Sequence, residues 1–223
     1  MFLRNYNSLA NCDVRLGALN YLVGANGSGK SNFLDALHLV RDALSSSLDN
    51  ALRERGGLTE VRRRSSGHPN HFGIRLEFRL RDGNSGHYAF NVGALPKGGF
   101  EVQAEECVLK GIGKGPFFRL DRGNLRVSSE SSFPFVTSDQ LALLSASGLP
   151  AFRPVYDALT SMGFYNPLTL SLFVSYRNHK MVACLSHRLK TSQASSVICL
   201  SIQASERSRS FLKLCQEWKN QMA

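Results

Sequence analysis

Apolar residues along this chain follow two rhythms, and the change falls near residue 70. Phe33, Leu34, Leu37, Val40 and Leu44 recur at helical spacing and share one face, while Asn32, Asp35, Arg41 and Asp42 fall elsewhere. This predicts an amphipathic helix that starts near Gly29. Ahead of it, Phe2–Tyr6, Val14–Leu16 and Leu19–Val23 read as short strands, the last running straight into glycine. Residues 45–70 are polar and read as a helix end followed by a loop. From Phe72 to Leu109 the period is two: Phe72, Ile74, Leu76, Phe78 and Leu80 alternate with glycine and charged residues. Turns at 82–86 and 96–99 divide this stretch into an antiparallel meander with His87–Val92 and Phe100–Leu109. Phe117–Leu120 and Leu125–Ser128 predict a further hairpin about Asp121–Asn124. Two helices follow, one near Ser138–Ser145 with Ser138 or Asp139 as its cap, the other at Phe152–Met162.

Between the third strand and the first helix stands Gly24-Ala25-Asn26-Gly27-Ser28-Gly29-Lys30-Ser31, the Walker A pattern. Each residue type answers to a polyanionic, metal-bound ligand. Glycines let the backbone curl until successive N–H groups point at one anion, and the following helix adds its positive end. Lys30 supplies a mobile charge for the β- and γ-phosphates, and the Ser31 hydroxyl supplies a ligand for Mg²⁺. The flanking strand and helix set this segment apart from a glycine-rich turn that binds nothing.

The longer string Gly24–Leu37, which continues through Asn32 into Phe33-Leu34-Asp35-Ala36-Leu37, closely resembles the ABC-type ATPase heads of the RecF and SMC group and the related bacterial ATPases. Phe2–Leu9 resembles the first strand of those heads, and the antiparallel meander is also similar to theirs. The fold expected is therefore α/β: a P-loop NTPase core with an adjoining antiparallel β-meander, incomplete at the C-terminus. The resemblance implies ATP as ligand with Mg²⁺, held by Gly24, Ala25, Asn26, Gly27, Ser28, Gly29, Lys30, Ser31 and Asn32. It also implies hydrolysis when two heads close on one another in a homodimer, with DNA as a further partner in repair or recombination. Arg4 and Asn5 stand where family members approach the base and ribose. The chain departs from the family in lacking a Leu-Ser-Gly-Gly signature and an apolar strand ending in Asp-Glu. No catalytic residue is assigned, and the chain is expected to be the N-terminal part of an ATPase.

Composition changes this picture mainly at the tail. Residues 1–170 hold 19 Lys/Arg and 15 Asp/Glu, against 8 and 2 in residues 171–223, so most of the net charge of +10 sits in the last quarter and global charge is weak support for DNA binding. That quarter has no Gly, Pro or Asp, where average usage would give about four Gly and three Pro. Two regions are drawn: residues 1–166 as the ATPase-head part and 167–223 as an atypical Ser-rich basic tail. A reading-frame shift near 167–175 is the favoured explanation, because permitted codons read one base back return the missing residue types. The rival is a genuine tail that binds DNA or a partner. No apolar run reaches the ~20 residues of a membrane span, no signal pattern opens the chain, and the five scattered cysteines read as free thiols, so a cytoplasmic protein is expected.

Three weaker patterns stand elsewhere in the chain. Arg62-Arg63-Arg64, with Arg53 and Arg55, could contact a phosphate backbone, but a solvated loop face is preferred because no aromatic platform is interleaved. Gly111-x-Gly113-x-Gly115 reads as a turn, since Pro116 follows it and no Lys-Ser pair does. His68-x-x-His71 has metal-like spacing without a third ligand. Two rivals to the ATPase head stay open: a non-catalytic nucleotide-binding fragment or gene remnant, and a DNA-binding module built on the arginine loop and tail.

Overall fold

The structure is a computed structural model that describes residues 1–17, 19–64, 69–110, 115–165, 182–185 and 195–201. In chain order the elements are β1 (Phe2–Tyr6), β2 (Leu9–Asp13), β3 (Leu19–Ala25), α1 (Lys30–Ser45), α2 (Leu48–Arg53), α3 (Leu58–Val61), β4 (His71–Arg79), β5 (Ser85–Ala94) and β6 (Phe100–Lys110). They continue as β7 (Phe117–Asp121), β8 (Asn124–Ser128), α4 (Ala142–Ala146), α5 (Arg153–Thr160), β9 (Gly163–Tyr165), β10 (Val182–Leu185) and β11 (Ser195–Ser201). They fall into two compact units, Met1–Arg15 with Asn26–Met162, and Leu16–Ala25 with the residues from Gly163 onward.

The larger unit is built on a seven-stranded antiparallel sheet ordered β2-β1-β4-β5-β6-β7-β8. The period-two pattern sets its two faces. Phe72, Ile74 and Leu76 are buried, and their neighbours Arg75, Glu77 and Arg79 are partly or fully exposed. Tyr88, Phe90 and Val92 of β5 and Cys107 and Leu109 of β6 extend the apolar face. The helices add Phe33, Leu37, Leu44, Leu52, Leu143 and Val155 to the core, and Phe152 joins them just ahead of α5. Aromatic rings pack within the sheet and across to the helices: Tyr6 of β1 meets Phe72 of β4 edge-on with centroids 5.6 Å apart, and Phe118 of β7 meets Phe152 before α5 at 5.0 Å. Burying each such ring contributes about 1.5–3 kcal/mol. In the smaller unit, a four-stranded mixed sheet runs β3-β11-β10-β9, antiparallel at β3–β11 and parallel at β9–β10.

One residue breaks the apolar face. Glu105 lies in β6 opposite Phe90, on the core side, and is only 3% exposed. Its carboxylate accepts hydrogen bonds from the Tyr88 hydroxyl (2.9 Å) and from the backbone N–H groups of Ala142 (2.6 Å) and Leu143 (2.9 Å). A side chain from the sheet therefore caps α4 across a long sequence separation, and the orphan donors of its first turn are satisfied.

This contact corrects one expectation. The helix foreseen at Ser138–Ser145 with a Ser138 or Asp139 cap begins instead at Ala142. The Ser138 carbonyl is taken by the Val102 N–H at 2.6 Å, which ties that residue to the sheet. The strand expected at Val14–Leu16 is displaced to Leu9–Asp13, because Val14 already closes the pair by exchanging backbone hydrogen bonds with Met1. Within the polar stretch 45–70, Leu48, Ala51 and Leu52 are spaced for a helix face, and Ser47 caps α2 by accepting from Asn50 N–H at 3.1 Å. The meander, the β7–β8 hairpin and α5 lie where the pattern put them, within a few residues. In the tail, where no element was expected, the backbone forms β10 and β11. The run Val197-Ile198-Cys199-Leu200 carries the β propensity that explains the second. The rest of the tail, His68 and Gly111–Lys114 lie outside the described residues.

Burial pushes the Glu105 carboxyl up from the ordinary 4.5 to about 7, although its three donors pull the other way. A folded value above the unfolded one means that the folded chain holds this proton more tightly. The associated stability is complete below about pH 4.5 and is lost as pH rises through about 7. Urea unfolding is expected to show a fall of up to about 3 kcal/mol between pH 4.5 and 8 from this group. Glu105→Gln should flatten that fall. An identical pH profile in wild type and variant would show that Glu105 does not carry it.

Candidate functional site

The segment from Gly24 to Asn32 joins a strand to a helix, as its glycines require. Gly24 and Ala25 are the last residues of β3, opposite Ser196 and Ser195 of β11. Asn26–Gly29 form the turn, and α1 starts at Lys30. Gly27 and Gly29 have φ of 81° and 92°, the left-handed region that other residues enter at a cost. At Gly29 a second constraint applies: a Cβ there would stand 2.7 Å from Leu9 Cδ2. Asn26, Gly27, Ser28 and Ser31 are exposed, and Lys30 is half-buried with its Nζ donating to Ser28 Oγ at 3.1 Å. No side chain caps α1, and its first turn holds no acidic residue. The positive end of this 16-residue helix therefore carries no negative side chain of its own.

Behind the turn, α1 is held by an ionic network. The Tyr6 hydroxyl donates to Asp35 Oδ2 at 2.7 Å, and Arg55 Nε donates to Asp35 Oδ1 at 2.9 Å. The same guanidinium reaches Asp42 Oδ2 at 2.9 Å and the Ala51 carbonyl at 2.8 Å, and Arg41 donates to the other Asp42 oxygen at 2.7 Å. Burial opposes charge on Asp42, but the hydrogen bonds from Arg55 and Arg41 outweigh it and hold that carboxyl below its ordinary value. Burial and the neighbouring Asp35 charge push the Tyr6 hydroxyl far up, so it stays a neutral donor.

The arginine group that invited a nucleic-acid reading is largely engaged in the protein. Arg55 belongs to the network just described. Arg53 pairs with Asp49 at 2.8 Å and Arg64 pairs with Glu60. Arg62 donates to the Pro69 carbonyl and the Asn70 side chain at 3.3 Å, while its backbone bridges to Tyr6. Arg4 is exposed in β1 between Asn11 and Gly73, and the Asn5 carbonyl accepts from Arg63 N–H at 2.8 Å. No cluster of three or more metal-ligating side chains exists among the described residues, and His71 stands within β4.

Sequence reasoning missed Ser8, Leu9, Tyr6 and Arg55 as partners of the phosphate loop and its helix. Their separations of 20 or more residues leave no local signal. At Asn5 a φ of 51° rephases β1, so that Leu3 and Tyr6 are both buried despite opposite parity.

A strand, a glycine turn in left-handed conformation and an uncapped helix carrying Lys-Ser define a phosphate-loop domain. The chain belongs to the family described as "AAA domain, putative AbiEii toxin, Type IV TA system", whose model matches residues 19–133, just over half of its length. The match supports an AAA-type P-loop ATPase and hence nucleotide binding. No curated protein and no solved structure matches the chain. No helix among the described residues is long and apolar enough to cross a membrane.

The two turn glycines separate two costs. Gly27→Ala meets open space and suffers only the unfavourable φ, whereas Gly29→Ala must also displace Leu9. Thermal unfolding is expected to show a loss of about 1 kcal/mol for the first and up to about 1 kcal/mol more for the second, since Leu9 Cδ2 is the free end of a flexible side chain. Equal losses would mean that Leu9 turns aside at no cost.

Proposed function

We propose that Gly24–Asn32 binds Mg-ATP and that this chain is an ATPase head of the RecF/SMC kind. The carrying observation is the loop itself: a left-handed glycine turn opening an uncapped helix, with Lys30 and Ser31 as its first two residues. In this reading the N–H groups of Asn26–Lys30 and the Lys30 ammonium bind the β- and γ-phosphates, and the exposed Ser31 hydroxyl is a Mg²⁺ ligand. The metal, when bound, neutralises phosphate charge. The exposed Asn26, Gly27 and Ser28 leave the loop open for the ligand. The resemblance of Gly24–Leu37 to RecF/SMC heads supports a homodimer closed over ATP for the complete family member, with DNA as the substrate on which such heads act. Repair or recombination in the cytoplasm is the corresponding setting. Against a reading in which the arginine loop is the main DNA contact stand the ion pairs and hydrogen bonds of Arg53, Arg55, Arg62 and Arg64.

Mg-ATP binding and phosphate release, measured on the whole chain with Lys30→Ala as control, test this. Affinity is expected to fall roughly tenfold or more in the variant, as a lost charge-assisted contact implies. Binding that is indifferent to Lys30 would sink the phosphate-loop reading. Salt-sensitive DNA binding that survives the substitution would point to a DNA-binding module instead.

A further inference from the structure

The turn between β1 and β2 touches the start of α1 at three places. Leu9 is the side chain that a Cβ on Gly29 would strike, with Ser8 Oγ 3.4 Å from the same point. Ser8 Oγ accepts from Asn32 Nδ2 at 2.7 Å. Tyr6, at the end of β1, donates to Asp35 at 2.7 Å. Positions 29, 32 and 35 are three apart, so they lie along one flank of the first two turns of the helix. The hairpin is itself fixed from the other side. Asn7 N–H donates to the Val61 carbonyl at 2.6 Å, and Tyr6 bridges to Arg62. Asn7 holds a left-handed φ of 49°, which makes the turn tight enough to present Ser8 to the helix.

We infer that Ser8 and Asn32 are a positioning pair for the phosphate loop, and this rests on the phosphate-loop reading above. Ser8 lies outside the proposed binding segment, so its substitution reports positioning alone. Asn32 is directed by Ser8, and the bond holds the N-terminal turn of α1 to the β1–β2 turn. A phosphate site built from backbone N–H groups depends on their direction, so a helix start free to rock would bind more weakly without losing any contact atom. Leu9 performs the same task sterically, by filling the space beside Gly29. The Tyr6–Asp35 contact anchors the next turn. Loss of the Ser8–Asn32 bond is therefore expected to loosen the loop and leave the body of α1 in place.

The test is a double-mutant cycle of Ser8→Ala and Asn32→Ala, with Ser8→Thr as the variant that keeps the hydroxyl. Two readouts are used: Mg-ATP affinity and backbone hydrogen exchange of residues 26–31 without nucleotide. Each alanine variant is expected to weaken binding about three- to tenfold, with the double variant no weaker than the worse single one. Exchange at 26–31 should rise severalfold while that of β4–β6 stays unchanged, and Ser8→Thr should restore both readouts. Additive effects, or exchange at 26–31 unaltered by Ser8→Ala, would overturn the inference. Lys30→Ala, run beside them, separates the two failures. If Lys30→Ala abolishes binding while Ser8→Ala changes neither readout, the phosphate-loop reading stands and the positioning pair falls. If the wild type binds no nucleotide, the phosphate-loop reading falls and takes the positioning role with it.

Discussion

The larger unit depends on how α1 is moored. This helix brings eight buried residues to the core, from Phe33 to Leu44, and its first turn opens the phosphate loop. Apolar packing alone would let such a helix slide or rotate, because the hydrophobic effect is non-directional. Asp35 removes that freedom. Its two oxygens accept from Tyr6 at the end of β1 and from Arg55 beyond α2, and Arg55 ties back to Asp42 two turns further along. Partly desolvated pairs of this kind add little net stability, but their geometry is directional. The network specifies where α1 lies, and the loop inherits that placement.

Glu105 does comparable work at the other end of the sheet. A carboxylate on an apolar face would be unfavourable without partners, and here it has three, two of which are the orphan donors of α4. Placing the cap on the sheet makes the start of α4 conditional on β6 being in register, so the helix and the sheet form together. Both devices use an acidic group, half-buried at Asp35 and buried at Glu105, to bind elements that are far apart in sequence, and both leave the outer sheet face to ion pairs such as Arg75–Glu106.

The arginine-rich segment shows why composition is a poor guide to partners. Five arginines between positions 53 and 64 read as a cationic surface. Folded, one is enclosed by two aspartates, and three more have partners within the chain. Only Arg55 is enclosed; Arg53 and Arg64 pair at the surface with side chains 75% and 68% exposed, so those pairs lower the local positive charge without removing it.

Local chemistry was legible in the sequence wherever a short-range rule governs it. The period of two in Phe72–Leu109 marked the meander, the helical spacing of Phe33–Leu44 marked α1, and the glycines with Lys30 and Ser31 marked the phosphate loop, because pleat, helical turn and left-handed φ are set by neighbouring residues. Family membership over residues 19–133 agrees with that loop. The sequence could not show that Asn32 turns to Ser8, that Leu9 lies against Gly29, that Arg55 belongs to Asp35 and Asp42, or that α4 takes its cap from Glu105. Each joins residues 13 to 38 positions apart. Their pairing depends on strand register and on the packing of α1 and α4 against the sheet, so the tertiary structure alone decided it.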